Sequence, residues 1–328
     1  MKEPPPARVY VLGIDSGGTK SEALLADGSG GFAARGYCDF RDPASGRGPG
    51  GSGRTRESLR RAVAGALDGF GFSSVAALHV VGRGQMPPGI LPDELCDRTE
   101  YHPVREQDGP MALVGCSAGV VSLAGTGAFV FGRTQDGREL MLDALGPMLG
   151  DAGSAFDLGL RAVRAVGRAT WHERHRTSLA EPLVAACRAY TGADRFSLVE
   201  YMLQCRDRSE IAGLARIVAA HAEAGDRVAL RLVHETADAL AETLRDVVSG
   251  LDLQEARLPL IAAGSLARRS RVYWSRVSEC AASFAPGLRP VVPARREVVG
   301  AMVAAAPHIP GLEAGFRERL IATTSDDE

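Results

Sequence analysis

Two short glycine-containing segments carry residue types that could bind a phosphate group. The first is DSGGTK at residues 15–20, and the second is GTG at residues 125–127. Glycine permits positive φ angles and lets backbone N–H groups approach phosphate oxygens closely. The carboxylate of Asp15 could stand beside a phosphate only with a cation, so the first segment predicts Mg²⁺ bound by Asp15, directly or through water. An ordinary tight turn explains one such segment, taken alone, about equally well.

Both segments lie between apolar runs that have the composition of β-strands. These runs are residues 9–14 and 23–25 around the first segment and residues 120–124 and 128–131 around the second. The pattern predicts two β-hairpins with glycine-rich tips, and a third strand at residues 32–37 would extend the first hairpin into a meander. Because the hairpins share one design, we expect an α/β chain with duplicated domains at residues 1–120 and 121–328 and a cleft between them.

Hydrophobic periodicity predicts the remaining elements. The further strands are predicted at residues 75–81, 101–104 and 258–262. The helices are predicted at residues 57–67, 109–116, 156–166, 179–190, 196–205, 211–221, 228–248, 272–284 and 297–306. Most of these helices follow residue 155, so we expect the C-terminal domain to be the larger and more helical one.

Composition restricts the classes of protein that remain. With 328 residues, of which 45% are hydrophobic, the chain can bury the cores of two domains. A formal net charge of −2 gives no broad electrostatic reason to expect nucleic acid or a membrane as partner.

The six cysteines lack the C-x₂-C pairs of zinc sites, so we expect reduced thiols. The sequence shows neither a secretory signal pattern nor a long apolar run, so we expect a cytoplasmic protein, and a homodimer is compatible with the sequence.

Five segments, taken in order, resemble one protein family. Residues 13–20 resemble the first phosphate motif of the N-acetylglucosamine kinases and the benzoyl-CoA reductase activator ATPases, and residues 124–127 resemble their second phosphate motif. Residues 149–154 (LGDAGS) resemble the L-G-D-E-G-S block of the kinases. Residues 262–265 (AAGS) fit the place of the adenosine motif, and residues 298–301 (VVGA) fit a late G-A helix.

The resemblance implies an actin-like fold with ribonuclease H-like domains and an ATP-dependent kinase that acts on a small sugar-like molecule with Mg²⁺. The residues that it implies for nucleotide binding are Asp15, Gly17, Gly18, Thr19, Lys20, Gly125, Thr126, Gly127, Gly264 and Ser265. It implies that Asp108 contacts the acceptor hydroxyl as the catalytic base, because a hydroxyl becomes a good nucleophile only when its proton is accepted. Asp151 and Gly127 would contact the sugar.

Three of these residues also have structural explanations. Asp108 could simply cap the helix that follows it, a position that Asp favours. Lys20 could touch a phosphate as a point charge or lie on a strand in solvent. Asp151 could interact with the N-terminus of the helix near Ser154.

The chain departs from kinases specific for N-acetylglucosamine where those enzymes bind the sugar. They usually offer asparagines from the loop after the third strand and from just after the second phosphate motif, but this chain contains no asparagine, and Ala152 replaces the glutamate of L-G-D-E-G-S. A site that lacks those hydrogen bonds rejects the original substrate, so the acceptor could be another amino sugar, a plain hexose or a cyclitol.

Two other functions remain open. A redox activator ATPase would need cysteines for an iron–sulfur cluster after the second phosphate motif, and residues 133–176 contain none. A sensor that binds ligand without phosphorylating it is the second alternative, and the retained acids Asp15 and Asp108 argue against it.

Overall fold

The computed structural model describes residues 8–17, 20–39, 52–191, 197–205 and 208–324. Gly18 and Thr19, both predicted to bind nucleotide, lie outside these ranges. Most of the loop after the third strand, where the sequence predicts sugar contacts, also lies outside them. Among the described residues, no helix combines the length and the apolar character needed to cross a membrane.

The described residues form ten strands and thirteen α-helices. The strands are β1 (Arg8–Ser16), β2 (Lys20–Asp27), β3 (Phe32–Asp39), β4 (Val75–Arg83), β5 (Thr99–Val104), β6 (Gly119–Ala124), β7 (Ala128–Arg133), β8 (Glu139–Asp143), β9 (Pro259–Ala263) and β10 (Arg289–Val291). The helices are α1 (Ser52–Ala66), α2 (Asp93–Cys96), α3 (Asp108–Val114), α4 (Ala155–Val166), α5 (Ala180–Thr191), α6 (Leu198–Gln204), α7 (Arg208–Gly213), α8 (Ala215–Glu223), α9 (Arg227–Gly250), α10 (Ser265–Arg269), α11 (Arg271–Phe284), α12 (Glu297–Ala305) and α13 (Phe316–Thr323).

The first compact unit comprises Met1–Cys116 and Pro293–Glu328. Its sheet has the order β3-β2-β1-β4-β5, in which β1, β2 and β3 are antiparallel and β4 and β5 run parallel to β1. Successive residues of a strand point to opposite faces of the sheet. Leu12 therefore joins the core under α1 on one face, whereas Val11 joins the core under α12 on the other.

The second unit comprises Ser117–Val292. Its sheet has the order β8-β7-β6-β9-β10, in which β6, β7 and β8 are antiparallel and β9 and β10 run parallel to β6. The 24-residue helix α9 packs its apolar face, which includes Leu240 and Leu244, into the core of this unit. Asp226 caps α9, since its Oδ1 accepts hydrogen bonds from the N–H groups of Val228 and Ala229 at 2.9 Å each.

The two sheets have the same topology. Each is a three-stranded antiparallel meander whose first strand is flanked, on its other side, by two parallel strands. The predicted duplicated α/β architecture is therefore confirmed, and the second unit holds most of the helices, as expected. Periodicity did not predict β8 and β10, which are the counterparts of β3 and β5.

The C-terminal segment differs from the prediction. The sequence analysis assigns everything after residue 120 to the second domain, whereas Pro293–Glu328 belongs to the first unit. The physical reason is α12, whose apolar residues include Val298 and Met302 and are buried against β1. Gly13 of β1 lies so close to this helix that a Cβ atom on it would be 2.6 Å from Cγ of Met302.

Candidate functional site

The tip of the first hairpin joins β1 to β2. The N–H group of Gly17 donates to the carbonyl of Lys20 at 2.9 Å and closes the turn, so in this structure it serves the hairpin rather than pointing outward to a phosphate as expected. Of the residues that the structure describes, a Cβ atom on Gly17 would meet that same carbonyl alone, at 4.0 Å. Packing against these residues therefore does not require glycine here.

Asp15 lies near the end of β1, and its carboxylate is 17% exposed. Its Oδ1 accepts a hydrogen bond from Nη2 of Arg83 at 3.0 Å, and the same nitrogen donates to the carbonyl of Ser16 at 2.8 Å. Burial raises the pKa of Asp15, the positive charge of Arg83 opposes this increase, and the negative charge of Glu297 adds to it. The ionised carboxylate would therefore be stabilised by a further cation.

This environment fits Mg²⁺. Mg²⁺ retains several water ligands and typically binds one or two carboxylates together with substrate phosphates. The partly buried carboxylate of Asp15 meets that requirement, because its side chain stays partly exposed among the described residues. The cation would offset phosphate charge at this tip.

A positive cluster adjoins the same tip. Glu22 of β2 is buried, with a side chain 1% exposed. Its carboxylate forms ion pairs with Nζ of Lys20 at 3.3 Å, Nε of Arg35 at 2.7 Å and Nη1 of Arg296 at 2.8 Å. Burial alone would raise the pKa of Glu22, but the charges of Lys20, Arg35 and Arg296 together lower it. Lys20 is thus neither a solvated strand residue nor a lone point charge, because it stands with Arg35 and Arg296 around one buried carboxylate.

Asp108 is the first residue of α3, and its carboxylate is 26% exposed. Both of its oxygens accept hydrogen bonds from Arg105, at 2.9 Å from Nε and 3.1 Å from Nη2. Gln107, the residue before the helix, makes no side-chain capping hydrogen bond. A Cβ atom on Gly109 would be 3.1 Å from the carbonyl carbon of Gly300, and this close approach of α3 to α12 holds Asp108 in place.

Arg83 forms ion pairs with two acids of the first unit, Asp15 and Glu106. It stands at the end of β4, which is parallel to β1, and Gly13 pairs with Val81. Asp15 and Arg83 lie two residues further along their strands, so their side chains meet at the same sheet edge. The other guanidinium nitrogen of Arg83, Nη1, forms an ion pair with Glu106 in the segment that leads into α3. The sequence analysis missed Arg83 and Glu106, and only the β1–β4 register would have revealed them.

The tip of the second hairpin is held by backbone contacts. Gly125 N–H donates to the carbonyl of Gly127 at 2.9 Å, and the Gly125 carbonyl accepts from the N–H of Ala155 in α4 at 2.8 Å.

Gly264 precedes α10 with φ 78° and ψ 158°, a conformation open almost only to glycine. A Cβ atom on it would be 2.5 Å from the carbonyl oxygen of Ala124. The structure therefore brings three predicted residues of the second unit together, namely Gly125, Gly127 and Gly264. The remaining two are Thr126, which is half-buried, and Ser265, which is exposed.

Asp151 supports this second tip. Its side chain is buried, and Oδ1 accepts from the N–H of Ala128 at 3.2 Å, while Oδ2 lies 3.8 Å from Nη1 of Arg208. A Cβ atom on Gly127 would be 2.9 Å from the Asp151 carboxylate. The residue that caps α4 is Ser154, so Asp151 does not occupy the cap. The contacts of Asp151 with Ala128 and Gly127 hold the tip of the second hairpin in place.

Asp143 is a further acid that the sequence analysis missed. It ends β8, and its carboxylate accepts hydrogen bonds from the N–H of Asp151 at 2.7 Å and from the N–H of Ala152 at 3.0 Å. A Cβ atom on Gly150 would be 2.1 Å from Oδ1 of Asp143. Asp143 therefore organises the segment that carries Asp151, and an acid just before a glycine-rich segment is the only sequence signal for this role.

The two sheets have the same topology, and each begins with a glycine-tipped hairpin. Together they define an actin-like fold of the sugar kinase type. The profile of the BadF/BadG/BcrA/BcrD ATPase family matches residues 12–305. The chain belongs to this family.

Known proteins similar to the chain include kinases. The chain is 28% identical over 163 residues to the N-acetylmuramic acid/N-acetylglucosamine kinase of Clostridium acetobutylicum. The match covers 48% of this chain and 52% of that protein. The chain is 27% identical over 155 residues to the N-acetyl-D-glucosamine kinase of Dictyostelium discoideum, covering 47% and 48%. The match thus spans about half the length of both relatives.

A solved structure from Porphyromonas gingivalis, provisionally assigned as an N-acetylglucosamine kinase, has a TM-score of 0.62 and 22% identity, covering 92% of this chain and 100% of that one. At this level of identity, the similarity establishes the fold.

Proposed function

We propose that the chain is an ATP-dependent kinase that phosphorylates a hydroxyl of a sugar or amino sugar with Mg²⁺ as cofactor. The observation that carries the proposal is the Arg83 network, which joins Asp15 at the first glycine tip to Glu106 in the segment before Asp108. Phosphoryl transfer to a hydroxyl requires an acid that holds the metal and a base at the acceptor. Membership of an ATPase family supports ATP as the phosphoryl donor.

In this proposal, both hairpin tips and the start of α10 bind the nucleotide. The residues are Asp15, Gly17, Gly18, Thr19, Lys20, Gly125, Thr126, Gly127, Gly264 and Ser265. Mg²⁺ bound through Asp15 would offset the charge of the phosphates. Lys20 contributes as part of the positive cluster around Glu22, and the backbone of the second tip supplies shape rather than charge.

Asp108 acts as the general base. Its carboxylate accepts the proton of the acceptor hydroxyl while that oxygen forms its bond to the γ-phosphorus and the bond to the leaving ADP oxygen breaks. The two hydrogen bonds from Arg105 orient the carboxylate. Asp151 and Gly127 border the sugar, and the contact of Asp151 with the second tip supports a positioning role.

The acceptor class rests on the relatives. The Clostridium acetobutylicum protein is named for N-acetylmuramic acid and N-acetylglucosamine, which supports an amino sugar. The absence of asparagine from this chain supports a modified acceptor instead of N-acetylglucosamine itself. Cytoplasmic location and a homodimer stay predictions from the sequence.

The test is acceptor-dependent ADP release. The purified chain is given ATP and Mg²⁺ with N-acetylglucosamine, N-acetylmuramic acid, glucosamine, glucose or myo-inositol, and products are identified by mass spectrometry. We expect one acceptor to raise ADP release and to yield its phosphate ester only when Mg²⁺ is present. Protein that binds both ATP and a sugar but forms no ester across the panel would instead be a sensor.

A further inference from the structure

Three potential metal ligands meet on one face of the first unit's sheet, outside the candidate kinase site. They are His79 on β4 and Glu100 and His102 on β5. In the parallel β4–β5 pairing, His79 lies opposite Glu100, and Val81, two residues further along, lies opposite His102. Because side chains alternate between the faces of a sheet, this register places the three side chains on the same face.

The donor atoms of these residues form a compact triangle. Nδ1 of His79 is 2.9 Å from Nε2 of His102. Oε2 of Glu100 is 3.5 Å from the His79 nitrogen and 3.8 Å from the His102 nitrogen. A triangle with these sides has a point about 2.0 Å from all three atoms, which matches the Zn–N and Zn–O bond lengths of protein zinc sites.

The three separations, from 2.9 to 3.8 Å, spread around the value for tetrahedral coordination. Ligands about 2.05 Å from zinc at tetrahedral angles are about 3.3 Å apart, close to the mean of the three observed separations. The alternative is a hydrogen bond between the two ring nitrogens, with the exposed Glu100 carboxylate solvated by water.

Burial differs among the three side chains. The His79 side chain is 4% exposed and the His102 side chain 11%, whereas Glu100 is 62% exposed. The exposed side at Glu100 provides an approach for a cation and room for a water molecule as fourth ligand.

We propose that His79, Glu100 and His102 form a zinc site that is distinct from the Mg²⁺ site at Asp15. The two sites differ in chemistry, because imidazole nitrogens suit Zn²⁺ whereas Mg²⁺ prefers oxygen ligands. The zinc site joins β5, the edge strand of the sheet, to its neighbour β4. Its role is to hold the edge strand β5 against β4. The proposal does not depend on kinase activity.

Zinc binding is measured directly on the full chain purified without a histidine tag. Protein stripped with a chelator is titrated with Zn²⁺ against a chromophoric chelator, its metal content is determined by mass spectrometry, and Co²⁺ is substituted to record the visible spectrum. We expect one Zn²⁺ per chain, a Co²⁺ spectrum of tetrahedral intensity and an increase in Tm on adding Zn²⁺ that is smaller in variants lacking one of the three ligands.

The variants His102→Ala and Glu100→Gln test the ligands, and both spare the buried His79. Loss of a group that only orients a ligand lowers metal affinity about 10- to 100-fold, so loss of a ligand should lower it at least about tenfold. His308→Ala is the matched control, because His308 is an exposed histidine of the same unit, and it should bind zinc like the unaltered chain.

Several results would overturn the proposal. They are no Zn²⁺ retained by the unaltered protein, equal Zn²⁺ affinity in the His102 and His308 variants, or the same Zn²⁺-dependent increase in Tm in those two variants. If His102→Ala unfolds, Glu100→Gln alone decides the question, since Glu100 is largely exposed and its amide keeps nearly the same shape.

Discussion

The two hairpin tips share a topology but are held by different physical means. One backbone hydrogen bond closes each tip, but the side-chain contacts around the first tip are ion pairs: Arg83 with Asp15, and Glu22 with three cations. Around the second tip, the contacts are backbone contacts made possible by glycines, together with Asp151 and Asp143 bonded to N–H groups.

This difference suggests a division of work within a duplicated fold. Charged side chains can bind a metal and accept a proton, whereas backbone N–H groups can donate hydrogen bonds, for example to phosphate oxygens, but can do neither of these. We therefore propose that the first unit supplies the charged groups of the reaction, while both tips bind the nucleotide. Changes in the first tip should alter rate and ionic behaviour, and changes in the second should alter stability and binding.

The largest effect is expected at Asp108. A positioned base contributes about 100- to 10,000-fold in rate, so Asp108→Asn should lower turnover within that range while ATP binding survives. Turnover is measured with the best acceptor of the panel, and binding by calorimetry. Arg105→Gln is the matched control, because it breaks the same ion pair but keeps the carboxylate. Equal losses in both variants would mean that the pair is structural, and Asp151 would be the next candidate for the base.

Substitutions at the second tip should mainly lower the free energy of unfolding. Gly264→Ala places a Cβ atom 2.5 Å from the Ala124 carbonyl at a φ of +78°, so we expect a decrease of about 3 kcal/mol in the free energy of unfolding. Denaturant unfolding measures it. Gly225→Ala is the control, since Gly225 has φ +91° but no atom within 4 Å of its Cβ position. Similar losses in both variants would assign the effect to backbone strain alone and remove the close approach from the comparison.

Metal dependence should separate the first tip from the second. Asp15→Asn removes the carboxylate charge proposed to hold Mg²⁺, and we expect the Mg²⁺ concentration for half-maximal turnover to rise at least about tenfold. Binding of ATP without metal should change much less. Glu106→Gln, which removes the other partner of Arg83 and leaves Asp15 in place, is the control. An unchanged Mg²⁺ requirement in Asp15→Asn would place the metal elsewhere.

The sequence predicted the regular elements of the fold well where the periodic segments were long. It missed β8 and β10 because Glu139–Asp143 has a short apolar run and Arg289–Val291 is only three residues with a central proline. Both could have been inferred by completing the repeat. The predicted helix at residues 211–221 is instead split between α7 and α8 near Leu214. Burial of α12 was predictable from its apolar residues, but the sheet that it covers was not.

The candidate site was predictable only in part. Glycine tips and acids are visible in the sequence because they are local, and the structure groups Gly125, Gly127 and Gly264 as expected. The partners of the acids are long-range: Arg83 is 68 residues from Asp15, and Arg296 is 274 residues from Glu22. Only strand register and the return of the C-terminal segment to the first unit bring those charges together.

The smallest expected effect concerns Lys20. Its ammonium group is 24% exposed and pairs with Glu22, which also keeps Arg35 and Arg296. Lys20→Met therefore removes one charge from a cluster that retains its other contacts, and partly exposed pairs of this kind contribute about 0.2 to 1 kcal/mol. We expect KM for ATP to rise less than about fivefold, and only at low ionic strength, because salt screens charges that act at a distance.

A direct bond between Lys20 and a phosphate gives a different result. The loss in affinity would then be larger and would persist in high salt, since a contact without intervening water is screened much less. Arg60→Gln is the control for net charge, because Arg60 is exposed and pairs with Glu57 on α1. If Lys20→Met and Arg60→Gln change KM equally, the positive cluster has no special influence on the nucleotide, and the first tip is distinguished from the second by Asp15 alone.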